Sequence, residues 1–177
     1  MSSRTDHQTA TAAVRPAQPA DVPRLVALVG ELAAYERSAS EVELTDELLA
    51  AALFGAPPTA YCHVAVDEAG TVAGFALWFV TFSTWTGKPG LYLEDLYVRP
   101  ESRRAGHGRA LLAELARVCL ARGYPRLEWS VLDWNTPAQD FYRTLGAVPQ
   151  DEWTRWRMTD TAITALATSA GQVERQP

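Results

Sequence analysis

The sequence reads LYLEDLYV at residues 91–98 and RRAGHG at residues 103–108, and this stretch decides the fold. The first run is rich in residues that favour strands, and residues 109–122 carry apolar side chains at helical spacing. A strand that passes through a glycine turn into a helix directs free backbone N–H groups at one point. Such a point suits a phosphate or pyrophosphate group, so the stretch predicts an anionic ligand.

A purely structural turn is the alternative, because Gly-x-Gly alone is common at the ends of strands. Four arginines surround the turn, at positions 99, 103, 104 and 109, and they favour anion binding. The turn is not a P-loop, because no Gly-Lys-Ser/Thr follows it, and it has only two of the three glycines of a dinucleotide fingerprint. Both interpretations stay open on the residues alone.

Composition narrows the class of protein. A length of 177 residues with 47% hydrophobic residues predicts one soluble domain with a sizeable core. A net charge of −5 argues against nucleic acid as a partner. No apolar run is long enough to span a membrane, and the first residues lack the apolar region of a signal peptide, so we expect a cytoplasmic protein. Cys62 and Cys119 are expected to be buried thiols, and no cysteine or histidine spacing predicts a metal site.

The periodicity elsewhere predicts a mixed α/β single domain at residues 13–160, preceded by a disordered extension at residues 1–12 and followed by a tail at 161–177. Asp21, Thr45 and Thr136 are expected to cap helices, with Gln139 completing a capping box. The predicted strands lie at residues 14–17, 61–66, 72–82, 91–98, 126–131 and 153–159. The predicted helices lie at about residues 21–35, 45–54, 108–122 and 136–145.

The strand, the turn and several further motifs together resemble one enzyme superfamily. Arg-x-x-Gly-x-Gly after the strand LYLEDLYV is similar to the acetyl-CoA motif of the GNAT superfamily of N-acetyltransferases. The motifs ELAAYE (31–36), GFA (74–76), WNTP (134–137) and FYRTLGA (141–147) resemble its diamine (spermidine/spermine) and thialysine branch. The resemblance covers residues 14–159 and implies a largely antiparallel, mixed central sheet flanked by helices.

The resemblance implies acetyl-CoA as co-substrate and no metal. Backbone amides of the turn would hold its pyrophosphate, and the end of the preceding strand would pair with the pantetheine arm. We expect the side chain of His107 to be solvated or packed in the turn rather than to act as a base. The implied cofactor-binding residues are Leu96, Tyr97, Val98, Arg103, Arg104, Ala105, Gly106, His107, Gly108, Arg109, Asn135 and Tyr142.

Two residues match the family's proton-transfer positions. Tyr142 matches a tyrosine that acts as general acid toward the departing thiolate, and a phenol is a suitable donor to sulfur. A core aromatic is the alternative, because Tyr142 lies on the apolar face of its predicted helix. Glu94 matches a carboxylate that accepts the substrate proton, directly or through water. Simple exposure on an edge strand is the alternative for Glu94 and for Asp95.

The resemblance also implies an acidic acceptor site that comprises Tyr35, Glu36, Glu94, Asp95 and Glu152. In a regular strand Glu94 and Asp95 point to opposite faces, whereas a β-bulge brings both toward one cleft. For Tyr35 and Glu36, an exposed helix end is the alternative. A gapless alignment with the family places Thr154 at the family's acidic substrate-binding position. A shift of two residues places Glu152 there instead.

These residues predict an acetyl-CoA-dependent N-acetyltransferase that acts on a small cationic amine such as a polyamine, a diamine or a thialysine-like amino acid. The alternatives are the same chemistry on an aminoglycoside or a protein amine, and a CoA-binding sensor without catalysis. The family implies a homodimer, to which Trp153 and Trp156 would contribute unless they are core residues.

Overall fold

The computed structural model describes residues 13–170, and the chain divides into two compact units after Ser130. The predicted disorder of residues 1–12 lies outside the described residues, as does the end of the tail after residue 170. Within residues 13–170, no helix is both long and apolar enough to cross a membrane.

The first unit contains a five-stranded sheet in the order β1-β2-β3-β4-β5. Neighbouring strands from β1 to β4 are antiparallel, and β5 runs parallel to β4. The sheet is therefore mixed and largely antiparallel, as expected. Its elements are β1 (Ala13–Pro16), α1 (Val22–Tyr35), α2 (Asp46–Phe54), β2 (Tyr61–Val66), β3 (Val72–Ser83), β4 (Lys88–Val98), α3 (His107–Arg122) and β5 (Leu127–Trp129).

Helices cover the sheet. The α1 and α2 helices share one buried cluster with β2, β3 and β4, whose fully buried members include Leu28 and Phe75. The α3 helix packs across all five strands, and Leu111 and Leu115 on it are fully buried outside that cluster. Burial of these leucines contributes about 2 kcal/mol each, which holds the glycine turn at the start of α3 in a fixed place.

A β-bulge interrupts β4 at Glu94. Leu93 lies opposite Trp78 on β3 and Asp95 lies opposite Leu77, so Glu94 is an extra residue without an opposite neighbour. The alternation of side chains is broken there, as in other bulges. The sequence alone did not decide between a regular strand and a β-bulge at this point, and the structure has the bulge.

Of the three predicted N-caps, Thr45 behaves as expected, whereas Asp21 and Thr136 do not. The side chain of Thr45 accepts a hydrogen bond from the Leu48 N–H, as an N-cap does. Asp21 does precede α1, but its carboxylate makes no cap bond. It instead accepts two bonds from the Arg15 guanidinium, at 2.6 and 2.8 Å, and one from the Gln18 N–H at 2.7 Å. A bidentate pair with a guanidinium is among the stronger hydrogen-bonded arrangements that a carboxylate can make.

The second unit contains α4 (Thr136–Thr144) and α5 (Asp160–Ala170). The cap of α4 is Asn135 rather than Thr136, since the Asn135 side chain accepts from the Ala138 N–H at 3.4 Å. The amide of Gln139 donates to the carbonyls of Leu132 and Asp133, so the predicted capping box is wrong.

The strand predicted at residues 153–159 is also wrong. These residues have no regular secondary structure, and their side chains are exposed. A strand needs a neighbour to satisfy its backbone groups, and none pairs with this segment among residues 13–170. The helix α5 (Asp160–Ala170) covers the first part of the segment assigned to the tail.

Candidate active site

The glycine turn lies between the end of β4 and the start of α3. A 3₁₀ turn at Pro100–Ser102 leads out of β4, and α3 begins at His107. Two residues between them adopt the left-handed conformation, Arg104 with φ of 67° and Gly106 with φ of 86°. Glycine is the residue that takes this conformation without strain, which explains its place immediately before the helix.

Six consecutive backbone N–H groups in the turn have no acceptor among residues 13–170; they belong to residues 104–109. The first backbone bond of α3 is donated by Ala110 to the carbonyl of Gly106, at 2.9 Å. Free N–H groups at the start of a helix, beside residues in the left-handed conformation, are the backbone groups from which proteins build anion sites. The turn therefore offers free N–H donors of the kind that bind an anion, and its assignment to pyrophosphate stays a prediction.

Positive charge near the turn comes from arginines in different situations. The side chains of Arg104 and Arg109 are exposed, and no carboxylate pairs with either among the described residues. The Arg99 guanidinium instead pairs with Glu101 and lies 3.7 Å from Glu31. Arg104 and Arg109 thus carry guanidinium groups that are available to an anion at the turn.

His107 is packed into the protein and is not solvated. It is 7% exposed, and its Nδ1 is buried without a hydrogen-bond partner among the described residues. Of the two expected positions for its side chain, packing within the turn is the one observed. The buried His107 ring supports the turn by packing at the first position of α3. The backbone N–H of the same residue stays available to a ligand.

The edge of β4 beyond the bulge is open on one side. The strand β5 pairs with β4 only at residues 91–93 and ends at Trp129. From Glu94 to Val98, β4 has β3 on one side and no strand on the other among the described residues. On this open side the Val98 carbonyl accepts from Nε of Arg103 at 3.0 Å, whereas the Tyr97 carbonyl faces Gly74 of β3. Pairing of residues 96–98 with the pantetheine arm stays a prediction.

The backbone of β3 approaches β4 closely where Gly74 lies beside Tyr97. A Cβ atom added to Gly74 would lie 2.6 Å from the carbonyl oxygen of Tyr97. Only glycine fits this position, which explains the glycine of the GFA motif.

A network that sequence analysis did not predict ties α1 to the turn. The Tyr97 hydroxyl donates to Oε2 of Glu31 at 3.2 Å, and Arg24 donates to the other oxygen. The guanidinium carbon of Arg103 lies 5.2 Å from the Tyr35 ring centre and 5.9 Å from that of Tyr97. Positions 31 and 35 are one helical turn apart, which is the sequence signal that both face the same neighbour.

Three carboxylates of the first unit are electrostatically coupled near the bulge. Burial, together with the charges of Glu94 and Glu36, raises the pKa of Asp95 to about 6. Burial also raises the pKa of Glu36, at the end of α1. No arginine or lysine pairs with Glu36, Glu94 or Asp95 among residues 13–170. Uncompensated, partly buried carboxylates are costly to a fold and typical of sites that receive a cation.

Tyr35 ends α1 with 38% of its surface exposed, and Glu36 follows it half-buried. The two residues interact with different neighbours. The Tyr35 ring contacts the Arg103 guanidinium, whereas the charge of Glu36 contributes to the raised pKa of Asp95. The first unit therefore brings together Tyr35, Glu36, Glu94 and Asp95 at the end of α1 and the bulge.

The second unit carries the remaining predicted residues. Asn135 is buried at the N-cap of α4, and Tyr142 is half-buried two turns along the same helix. The Tyr142 ring packs against Phe141, with 5.5 Å between ring centres. Glu152 lies in an exposed turn after α4.

Comparison with known proteins settles the family. The model of the acetyltransferase (GNAT) family matches residues 26–147. The chain belongs to the GNAT family. Thialysine N-epsilon-acetyltransferase from Sus scrofa is 35% identical over 168 residues, which cover 89% of this chain and 98% of the relative. Spermidine/spermine N(1)-acetyltransferase-like protein 1 from Homo sapiens is 30% identical over 151 residues, 82% of this chain and 22% of the relative.

The fold of this GNAT protein is also found in solved structures. An integron cassette protein from the V. cholerae mobile metagenome superposes with a TM-score of 0.73 and 24% identity, covering 88% of this chain and 97% of that one. The family match and the relatives identify the chain as an N-acetyltransferase of the diamine and thialysine branch. The matched residues run across the division after Ser130, so the family domain includes residues of both units.

A metal site was not expected. Within the described part of the chain, no group of three or more His, Cys, Asp or Glu side chains is placed to hold a metal ion.

Proposed function

We propose that this GNAT enzyme transfers the acetyl group of acetyl-CoA to a primary amine of a small cationic acceptor. Polyamines, diamines and thialysine-like amino acids are the acceptor class. The observation that carries the proposal is a pair of features in the first unit. Within the described residues, six N–H groups at the turn have no acceptor and three carboxylates have no arginine or lysine partner. The first feature suits a pyrophosphate, and the second suits an ammonium group.

The donor site would use the backbone more than side chains. The N–H groups of Arg104 to Arg109 would hold the pyrophosphate of acetyl-CoA, with the guanidinium groups at both ends of this run adding charge. The open edge of β4 at residues 96–98 would pair with the amides of the pantetheine arm. Arg103 would position the turn rather than bind a phosphate, because its side chain donates to the Val98 carbonyl and stacks on the Tyr35 ring.

The acceptor site would lie at the bulge. The charges of Glu94 and Glu36 add to the effect of burial in raising the pKa of Asp95, and a bound cation would relieve that repulsion. An amine with a second positive charge would gain most from this arrangement. The relatives named for thialysine and for spermidine/spermine support an acceptor of this kind.

The reaction we propose is direct attack of the amine nitrogen on the thioester carbonyl. The new N–C bond forms as the C–S bond breaks, so one proton leaves nitrogen and one is added to sulfur. Glu94, exposed on the bulge, would accept the proton from the amine, directly or through water. Tyr142 would donate its hydroxyl proton to the thiolate, and Asn135 would help to hold the thiol end of the cofactor.

Assembly and location are further parts of the proposal. We propose a homodimer in which the extended segment around Trp153 and Trp156 contacts a second copy. These tryptophans are 71% and 93% exposed, and the segment has no strand neighbour among residues 13–170. Light scattering tests the assembly, and the expected cytoplasmic location needs fractionation of cells that express the chain.

The experiment that tests the function measures release of free CoA thiol with a panel of amines. The panel contains spermidine, a short diamine, thialysine, lysine, a peptide with a free N-terminus and a lysine side chain, and an aminoglycoside. The proposal predicts release with the small cationic amines and acetylated products by mass spectrometry. A protein amine or aminoglycoside as the preferred acceptor would contradict the acceptor class. Binding of acetyl-CoA without release for any amine would instead support a CoA-binding sensor.

A further inference from the structure

A cavity of about 230 Å³ lies at the far end of α3 from the glycine turn. The α3 helix contains 16 residues from His107 to Arg122, so its two ends are about 22 Å apart. Arg122, at the last position of the helix, lines the cavity, and none of the residues assigned above to acetyl-CoA or to the amine does. The cavity is therefore separate from the candidate active site.

The walls of the cavity are aromatic and apolar. Tyr61 and Trp78 stack with 4.5 Å between their ring centres, and Trp78 is 1% exposed. Leu53, Phe54 and Val118 contribute apolar surface. A cavity of this size and lining suits a small ring or a branched aliphatic group, because such a group gains contacts and leaves water.

Two nitrogen groups give the cavity its polarity. The Arg122 guanidinium carbon lies 5.2 Å from both the Tyr61 and the Trp78 ring centres. Nδ1 of His63 accepts from the Trp78 indole N–H at 3.1 Å, so the neutral imidazole carries its proton on Nε2. No protein acceptor takes that proton in the described part of the chain. Arg122 and His63, which both line the cavity, thus carry N–H donors, and the Arg122 guanidinium also interacts with the hydroxyl groups of Tyr124 and Tyr61.

The charge of the lining favours an anion. None of the residues that line the cavity is acidic. Glu114 lies near enough to influence His63, but its carboxylate pairs with Arg117 on the same helix. A carboxylate can accept from two donors at once, and bonds from a guanidinium to a carboxylate are among the stronger ones in proteins.

We propose that this cavity is a second binding site, for a small carboxylate that carries an aromatic or branched apolar body. The carboxylate would accept from Arg122 and from Nε2 of His63, with the apolar body against Tyr61 and Trp78. This site goes beyond the proposed acetyl transfer, and its test does not depend on catalysis.

The test uses phenylacetate as the probe, measured by calorimetry and by saturation-transfer NMR. Phenylacetamide and benzyltrimethylammonium have the same ring and serve as the neutral and cationic comparisons. We expect phenylacetate to bind one site with a Kd below about 1 mM, and the amide to bind at least about tenfold more weakly. Excess CoA should leave the Kd of phenylacetate unchanged.

Variants connect the binding to the cavity. Arg122→Gln should weaken phenylacetate binding at least about tenfold, while Arg117→Gln, on the same helix outside the cavity, should leave it unchanged. Val118→Phe, which fills the cavity, should abolish binding of phenylacetate. If this variant does not fold, the Arg122→Gln variant and the comparison with phenylacetamide still test the proposal. The proposal is overturned by any of three results: no saturable binding up to about 10 mM, equal binding to the Arg122→Gln variant, or preference for the cation.

Discussion

The guanidinium carbon of Arg103 lies 5.2 Å from the centre of the Tyr35 ring. Arg103 opens the turn that we assign to acetyl-CoA, and Tyr35 ends the helix that we assign to the amine. The same guanidinium group faces the Tyr97 ring, and its Nε donates to the carbonyl of Val98 at 3.0 Å. One side chain therefore contacts elements of both proposed substrate sites within the first unit.

We expect Arg103→Ala to impair both substrates. Loss of the stacked guanidinium frees Tyr35 and the end of β4, so kcat/KM should fall about tenfold for the amine and for acetyl-CoA. Steady-state kinetics with each substrate varied in turn measures this. An effect confined to the KM of acetyl-CoA would make Arg103 a simple phosphate ligand.

Arg104 and Arg109 should act on the cofactor alone. Replacing both by glutamine should raise the Kd of acetyl-CoA about tenfold at low salt, and the loss should shrink as salt screens the charges. Calorimetric titration at two ionic strengths measures both effects. Arg117→Gln, an exposed arginine on α3 that pairs with Glu114, is the matched control. A salt-independent loss would point to distortion of the turn instead.

Asp95 should make folding pH-dependent. Its folded-state pKa of about 6 lies above the ordinary value of 3.8, so the folded protein holds the proton more tightly than the unfolded chain. The stability from this group is present below about pH 4 and is lost as the pH rises through 6. Asp95→Asn should therefore be more stable than the parent above about pH 7, by up to about 3 kcal/mol, with the difference shrinking toward about pH 5. Urea unfolding across this range measures it, and a constant difference would show that Asp95 does not titrate in this way.

Tyr142→Phe should slow the chemistry without weakening cofactor binding. Removal of the proposed proton donor to sulfur should lower kcat about 100-fold, whereas the Kd of acetyl-CoA should stay within about twofold. The side chain keeps its packing against Phe141, so the variant should fold normally. Unchanged turnover would leave Tyr142 as a packing residue of α4.

Glu94→Gln should change the pH dependence of the rate. Without a carboxylate at the bulge, kcat/KM should fall at neutral pH and recover as hydroxide and buffer take the proton at higher pH. Glu68→Gln, in the exposed turn between β2 and β3, is a control that separates proton transfer from general loss of negative charge. Superimposable profiles for the parent and the Glu94→Gln variant would assign the proton to another group.

Much of the fold follows from local patterns in the sequence. The strand β2 and the Thr45 cap were predictable because alternation and cap chemistry act over a few residues. The bulge at Glu94 was left open, since the register of β4 depends on its pairing with β3 rather than on its own residues. Asp21 was misassigned because its partner Arg15 is on another element. The segment at 153–159 has strand-forming residues, but strand formation also needs a neighbour.

The candidate site shows the same limit. The six N–H groups of the turn were predictable, because a strand, a glycine turn and a helix are continuous in sequence. The network of Glu31, Tyr97 and Arg103 was not, because it joins residues up to 72 positions apart through side-chain contacts. The raised pKa of Asp95 likewise depends on burial, which no local pattern reports.

Transfer of the acetyl group itself is the most direct test of the account. Isotopically labelled acetyl-CoA is mixed with the protein and with thialysine or spermidine, and the products are analysed by mass spectrometry. The account predicts labelled N-acetylated amine and free CoA in equal amounts, with formation strongly reduced by Tyr142→Phe. Acetyl-CoA that binds but stays intact with every amine tested would contradict it.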